Sequence, residues 1–198
     1  MARAKITTIR REELIQAAIA AIYEHGFADL TVSQIAKDAQ VSTGSIHYYF
    51  GGKDALLEAT MRHLLRSLKT AHHIHLAEVE TPVERLHAVV QANFDKIFLS
   101  KETCRVWTQF WAFAPYHPKL ARLHRINRAR VKSNVMFALR ELVPEQDLMV
   151  KTNAIQGYMD GVWVQIAQSP EKLILSELQS EAGRFVTQTV GNGEKVRA

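Results

Sequence analysis

Residues 31–50, TVSQIAKDAQVSTGSIHYYF, constrain the fold of this chain more than any other stretch. Thr31 and Gln34 have the spacing of a capping box, and Leu30 and Ile35 fall at the flanking positions of a hydrophobic staple, so a helix is predicted to begin at Val32. Ala36 and Ala39 are small where a second helix must cross closely. Ser42, a few residues on, is an N-cap for that second helix. Helix, tight turn, helix is the arrangement in which the second helix lies in the major groove of DNA. Thr43, Gly44, Ser45, His47 and Tyr48 are then its exposed side. A plain helical hairpin inside a bundle is the competing reading.

The rest of the chain also reads as helix. Pro82, Pro118, Pro144 and Pro170 each open a segment of helical apolar spacing, where a missing N–H costs nothing in the first turn. Alternating strand patterns are few, and no Asn-Gly or Asp-Gly stands between two of them as a hairpin signal, so the expected class is all-α. The spacing predicts about nine helices, near 10–25, 32–39, 43–49, 53–75, 82–99, 102–113, 118–142, 144–168 and 171–190. Gly26 ends the first of them, and Gly191 with Gly193 begins a frayed tail. Ile15, Ala18, Ile22, Phe27, Ile35, Ala36, Val41, Ile46 and Phe50 are the apolar positions of a small head. That gives a DNA-binding head over residues 1–52 and a larger body over 53–198.

Composition removes several other classes. With 198 residues, 47% of them hydrophobic, the chain can bury a core without metals or disulfides, and its single Cys104 cannot form an internal disulfide. No run of about 18 uncharged apolar residues would span a membrane, and the basic start lacks the apolar stretch of a secretory signal, so the cytoplasm is expected. The formal charge of +5 permits a polyanionic partner. Its location is more informative. Residues 101–140 hold nine basic side chains and one acidic, whereas residues 1–66 hold eight and seven. The block containing Lys119, Arg122, Arg125, Arg128, Arg130 and Lys132 lies on body helices, and is expected to be a solvated face or to pair with the acidic residues of 141–198.

The head resembles the TetR family of bacterial repressors, whose pattern TVxxIAxxAGVSxGxxYxYFxxKxxLxxA is matched at Thr31, Val32, Ile35, Ala36, Ala39, Val41, Ser42, Gly44, Tyr49, Phe50, Lys53, Leu56 and Ala59. Two positions depart from it. Gln40 stands where the family often has a turn glycine, and a non-glycine residue in a left-handed turn costs roughly 1–2 kcal/mol. His47 replaces a frequent tyrosine. The resemblance implies a DNA-binding set of Thr31, Ser33, Gln34, Ser42, Thr43, Gly44, Ser45, His47, Tyr48, Tyr49 and Lys53. Within it Tyr48, Tyr49 and Lys53 are phosphate contacts, while Thr43, Ser45 and His47 read base edges. Lys5, Arg10 and Arg11 precede or open the first helix without an intervening acid, and either reach phosphate or form a solvated terminus.

The body carries aromatic residues at helical spacing: Phe94 and Phe98, then Trp107, Phe110 and Trp111, then Phe113, Tyr116, Tyr158 and Trp163. Core packing is the plain reading. Two acids stand among them, Asp95 beside Phe94 and Asp160 three residues before Trp163. A carboxylate in such company needs a partner, either an internal arginine or a cationic ligand. Aromatic faces with an acid suit a quaternary ammonium, which is held by cation–π attraction. The body's NFD at 93–95, WxxFW at 107–111, His117-Pro118 and the DGxW of 160–163 resemble the BetI-type subgroup, choline-responsive repressors of the genes that convert choline to glycine betaine. Choline or betaine aldehyde as inducer is what that resemblance implies, with Phe94, Asp95, Trp107, Phe110, Trp111, Tyr158, Asp160 and Trp163 as candidate ligand residues. An efflux or catabolic repressor sensing another cationic or lipophilic molecule is the alternative.

Ala154, Gly157 and Gly161 form a small-residue stripe that lets another helix approach, and Leu173, Leu175, Leu178, Phe185 and Val186 follow on the last helix. The family implies a homodimer through these two helices, with two heads on a palindromic operator. Gly157 and Gly161 relieving crowding inside one subunit is the other reading. His72, His73 and His75 have no supporting ligand at metal spacing, and Cys104 with His117 or His124 lacks an orienting third group. No cofactor and no enzymatic activity are therefore expected.

Overall fold

The computed structural model describes residues 2–97, 99–169 and 174–191, with side chains from residue 6 onward. Expectations that concern Phe98, Pro170, Leu173, Gly193 and the side chain of Lys5 fall outside that set. The described residues form nine α-helices and one short 3-10 turn: α1 (Ala2–His25), α2 (Val32–Asp38), α3 (Thr43–Phe50), α4 (Lys53–Leu76), α5 (Pro82–Ala92), α6 (Lys101–Phe113), the 3-10 turn Ala114–Tyr116, α7 (Pro118–Leu139), α8 (Glu145–Gln168) and α9 (Leu175–Val190). The fold is all-α, as the spacing of apolar residues requires.

Local chemistry sets most boundaries. At α2 the Gln34 N–H donates to Thr31 Oγ1 at 3.2 Å, and the Thr31 N–H donates to Gln34 Oε1 at 2.7 Å, completing the capping box. Ser42 Oγ accepts from the Ser45 N–H at 3.2 Å and starts α3. A second capping box, Thr81 with Glu84, starts α5 beside Pro82. That helix is shorter than its apolar period suggests, ending at Ala92 instead of near residue 99. Asn93 Nδ2 donates back to the Val89 carbonyl at 2.8 Å, and Asp95 Oδ1 accepts from the Ile97 N–H at 2.7 Å. These short side chains offer the backbone a turn in place of further helix.

The chain divides into two compact units, Met1–Leu65 with Glu102–His124, and Arg66–Lys101 with Arg125–Ala198. In the first, α1 packs on α2 and α3, and α2 on α3. Ile22, Ile35 and Ile46 are wholly buried there, each contributing about 1.5–3 kcal/mol relative to exposure. The C-terminus of α1 is completed from α6: Gln109 Oε1 accepts the Phe27 N–H at 2.7 Å, and Gln109 Nε2 donates to the Ile22 carbonyl at 3.4 Å. Gly26 between them has φ +82°. In the second unit α9 packs against α5 and α8. Gln91 Nε2 donates to the Gln179 carbonyl at 2.8 Å and Gln179 Nε2 to the Phe94 carbonyl at 3.0 Å, fastening α9 to the end of α5.

Candidate functional site

The α2–turn–α3 segment and the first residue of α4 carry the sequence-derived DNA residues, all of them in the first unit. Thr43, Gly44, His47 and Tyr48 are exposed on α3, with Tyr48 at 72% the most exposed aromatic among them. Ser45, Tyr49 and Lys53 are half-buried along its flank. Tyr48 and Tyr49 stand edge-on at 5.0 Å between ring centroids, so each restricts the other's rotamers. Thr31, Ser33 and Gln34 open α2, where Thr31 and Gln34 are already engaged in the capping box. Ser42 likewise serves α3 as its cap. No acidic side chain occurs in α3. A neutral-to-basic helix with short polar side chains on its outer face is chemically suited to base edges and phosphate oxygens.

The turn between these helices contains the strained residue that the sequence pattern indicates. Gln40 has φ +54° and is the one non-glycine residue at positive φ among those described. Its N–H donates to the Lys37 carbonyl at 3.1 Å and the Val41 N–H to the Ala36 carbonyl at 2.9 Å, which hold the turn in place.

Arg11 does not behave as a free terminal cation. Its guanidinium donates to the Tyr49 carbonyl and lies 4.2 Å from the Phe50 ring centroid, seating the C-terminal end of α3 against α1. A cation there also complements the negative end of the helix. Arg10, one residue earlier, points instead to Glu13 at 2.7 Å, both side chains more than half exposed.

The candidate ligand residues fall into two groups, one in each unit. On α6, Trp107 lies 5.5 Å from Phe110 and 6.4 Å from Trp111. Trp107 and Phe110 are buried, and Trp111 is half-buried. In the second unit Phe94 and Trp163 are buried, and Tyr158 stands edge-on to Phe94 at 6.4 Å and stacks on Phe185 at 4.0 Å. The two acids have internal partners. Asp160 Oδ2 accepts from Arg128 Nη1 at 2.7 Å, and Asp95 Oδ2 is 2.6 Å from His75 Nε2. The arginine is thus the partner Asp160 takes, and neither carboxylate needs a cationic ligand to offset its burial. Sequence reasoning had no means of choosing Arg128, 32 residues distant, from a block of many bases.

That block is largely a solvated face: Lys119, Arg122, Arg125 and Arg128 are exposed, while Arg130 and Lys132 are half-buried. Arg130 Nη2 donates to Asn127 Oδ1 at 2.9 Å, and Lys119 Nζ lies 3.6 Å from Glu58 Oε2.

On α8, Ala154, Gly157 and Gly161 are exposed together with Val150 and Val164 at the same spacing. A Cβ added at Gly157 or Gly161 would meet nothing within 4 Å, so neither glycine relieves crowding inside its own subunit. On α9, Leu175 and Phe185 are half-buried, and Leu178 is buried. Cys104 is fully buried, and burial, with the Glu102 charge beside it, pushes its thiol up to about 12, which keeps it protonated. The described residues contain no group of three His, Cys, Asp or Glu side chains arranged for a metal. None of their helices is long and apolar enough to cross a membrane.

Two family models match the chain, one described as bacterial regulatory proteins, tetR family, over residues 14–60, the other as BetI-type transcriptional repressor, C-terminal, over residues 82–191. Among curated relatives, the HTH-type transcriptional regulator BetI 2 of Chromohalobacter salexigens is 36% identical over 190 residues, covering 95% of this chain and 92% of its own. The BetI regulator of Yersinia pestis is 38% identical over 173 residues, covering 86% and 87%. Among solved structures, a transcriptional regulator from Saccharomonospora viridis in complex with choline has a TM-score of 0.77 at 19% identity, over 90% of this chain and 96% of that one. A TetR-family regulator from Rhodococcus sp. has a TM-score of 0.76 at 18% identity, over 92% and 99%.

Proposed function

We propose, on the premise that the chain belongs to the TetR family of bacterial regulatory proteins and carries a BetI-type C-terminal region, that it is a cytoplasmic homodimer repressing genes for the conversion of choline to glycine betaine. A BetI-type regulator of this family represses transcription and is not an enzyme. The observation that carries the choline reading is the match of residues 82–191 to the BetI-type C-terminal model. It is supported by the choline complex of a protein with the same fold.

Choline's trimethylammonium group has no N–H to donate, so its recognition depends on ring faces. Each desolvated cation–π contact contributes up to about 2 kcal/mol. Trp107, Phe110 and Trp111 of α6 supply such faces in the first unit, with Trp111 the least buried of the three. In the second unit Phe94, Tyr158 and Trp163 are the aromatic candidates, with Asp95 and Asp160 beside them. Because those acids are already paired, the rings carry the selectivity in this reading. Binding of choline or betaine aldehyde releases the operator only if the ligand prefers the arrangement that binds DNA poorly.

Thermal-shift titration and operator retardation test the reading together. Choline or betaine aldehyde at 100 times its dissociation constant should stabilise the fold by about 2.7 kcal/mol and weaken binding to DNA upstream of the chain's own gene. A flat response to both compounds would favour a repressor of the same family that senses a different cation. Trp111→Ala should abolish the shift and the release while leaving operator binding intact, and loss of folding in that variant would instead make Trp111 a core residue. Lys53→Ala should weaken binding to all duplexes and reduce the salt dependence by about one unit of slope.

A further inference from the structure

We propose that the outer face of α7 from Arg125 to Arg140, joined by Arg85 of α5, is a docking surface for an anionic lipid bilayer. The inference is independent of the choline reading and concerns the second unit alone, to which all of these residues belong.

α7 is a helix of 22 residues without one Asp or Glu. Its core-facing side is buried at Val131, Val135, Ala138 and Leu139. The opposite side repeats at three- and four-residue steps through Ile126, Ala129, Ser133 and Phe137 to Arg140 just past the helix end, and all of these are exposed. Arg125 and Lys132 flank that stripe on one side, and the Arg85 guanidinium stands 5.4 Å from the Phe137 ring centroid. Asp160, which approaches α7 in this unit, is taken by Arg128, off the stripe. Glu141, next to Arg140, is outnumbered by the cations around it.

The face thus alternates positive charge with two large apolar side chains, Ile126 at 53% and Phe137 at 56% exposed, which stand about 16 Å apart along the helix axis. A protein partner gains its affinity from a contiguous dehydrated centre, and two isolated side chains do not make one. A second copy of this chain would set the same cations against each other. An anionic bilayer fits both halves of the pattern. Its headgroups take the cations, whose stems lie along the interface, and each apolar side chain enters the acyl boundary by itself. The helix itself stays where it is, with its other side in the core.

The experiment sediments the full chain with vesicles of phosphatidylcholine alone, and with vesicles of equal parts phosphatidylcholine and phosphatidylglycerol, across a salt series. The parent should bind only the anionic vesicles, and more weakly as salt rises. Phe137→Ser, which changes no charge, should weaken binding about tenfold. Arg125→Ala with Lys132→Ala should weaken it about 25-fold, roughly fivefold for each cation. Lys37→Ala with Lys69→Ala makes the same change of charge at exposed positions off the stripe and should leave vesicle binding near the parental value. Retardation of duplex DNA by the Arg125 and Lys132 double variant should be unchanged. Equal weakening by the two double variants, parental binding by Phe137→Ser, or no vesicle binding by the parent overturns the proposal. So does a loss of duplex affinity in the Arg125 and Lys132 double variant with vesicle binding intact, which would make the face a nucleic-acid surface.

Discussion

At the scale of single residues, two adjacent arginines have different partners because of where the helix turns them, Glu13 for Arg10 and the end of α3 for Arg11. Arg11 holds the end of α3, so Arg11→Ala should lower the ratio of specific to non-specific DNA affinity and leave the salt slope unchanged, a pattern that a phosphate contact would not give. Duplex titration at several salt concentrations reads it directly. Gln40→Gly should stabilise the fold by about 1 kcal/mol, since the relief of left-handed strain exceeds the added freedom of the unfolded chain. His72 is buried, with Nδ1 3.0 Å from the Leu68 carbonyl, and burial lowers its pKa below the ordinary histidine value, as it does for His87. The unfolded chain then takes up protons more readily than the folded one. Stability from these groups is fully present above about pH 6.5 and declines as the pH falls from there toward their folded values. Urea midpoints at descending pH should fall, and His72→Phe should flatten the fall.

At the scale of elements, what the sequence made legible was what is local. Thr31 with Gln34, and Ser42 before Ser45, form caps within one helical turn, and the residues alone place both helix starts. Thr31→Ala should cost about 1 kcal/mol, measurable by chemical denaturation. The end of α5 escaped the same reasoning because the apolar period runs on through Phe94, while Asn93 and Asp95 divert the backbone into turns that hydropathy does not register. An arginine partner for Asp160 from the basic block was among the expectations, but which arginine it is, and the capping of α1 by Gln109, escaped because these contacts join residues far apart in sequence and no period encodes a distant partner. The candidate aromatic residues were identifiable by type. Their burial was not, since helical spacing alone does not say which of Trp107, Phe110 and Trp111 keeps exposed surface.

At the scale of the whole molecule, an exposed stripe of Val150, Ala154, Gly157, Gly161 and Val164 on α8 supplies the face for the proposed two-fold pairing. Because the space above Gly157 is open within the subunit, Gly157→Leu should fold normally by circular dichroism. Sedimentation should show it as a monomer, and it should lose the gain in affinity that two linked heads confer on a palindrome. An unchanged dimer would exclude this face. The capping of α1 by Gln109 also bears on how such regulators can be recombined. A chimera cut after residue 52 would carry a first helix whose end leaves the Phe27 amide to whatever side chain the recipient offers at the position of Gln109. Grafts that transplant α6 along with the α2–α3 segment should therefore yield well-behaved hybrids more often than grafts of the N-terminal segment alone, and the difference should be visible in a panel of such hybrids as soluble yield.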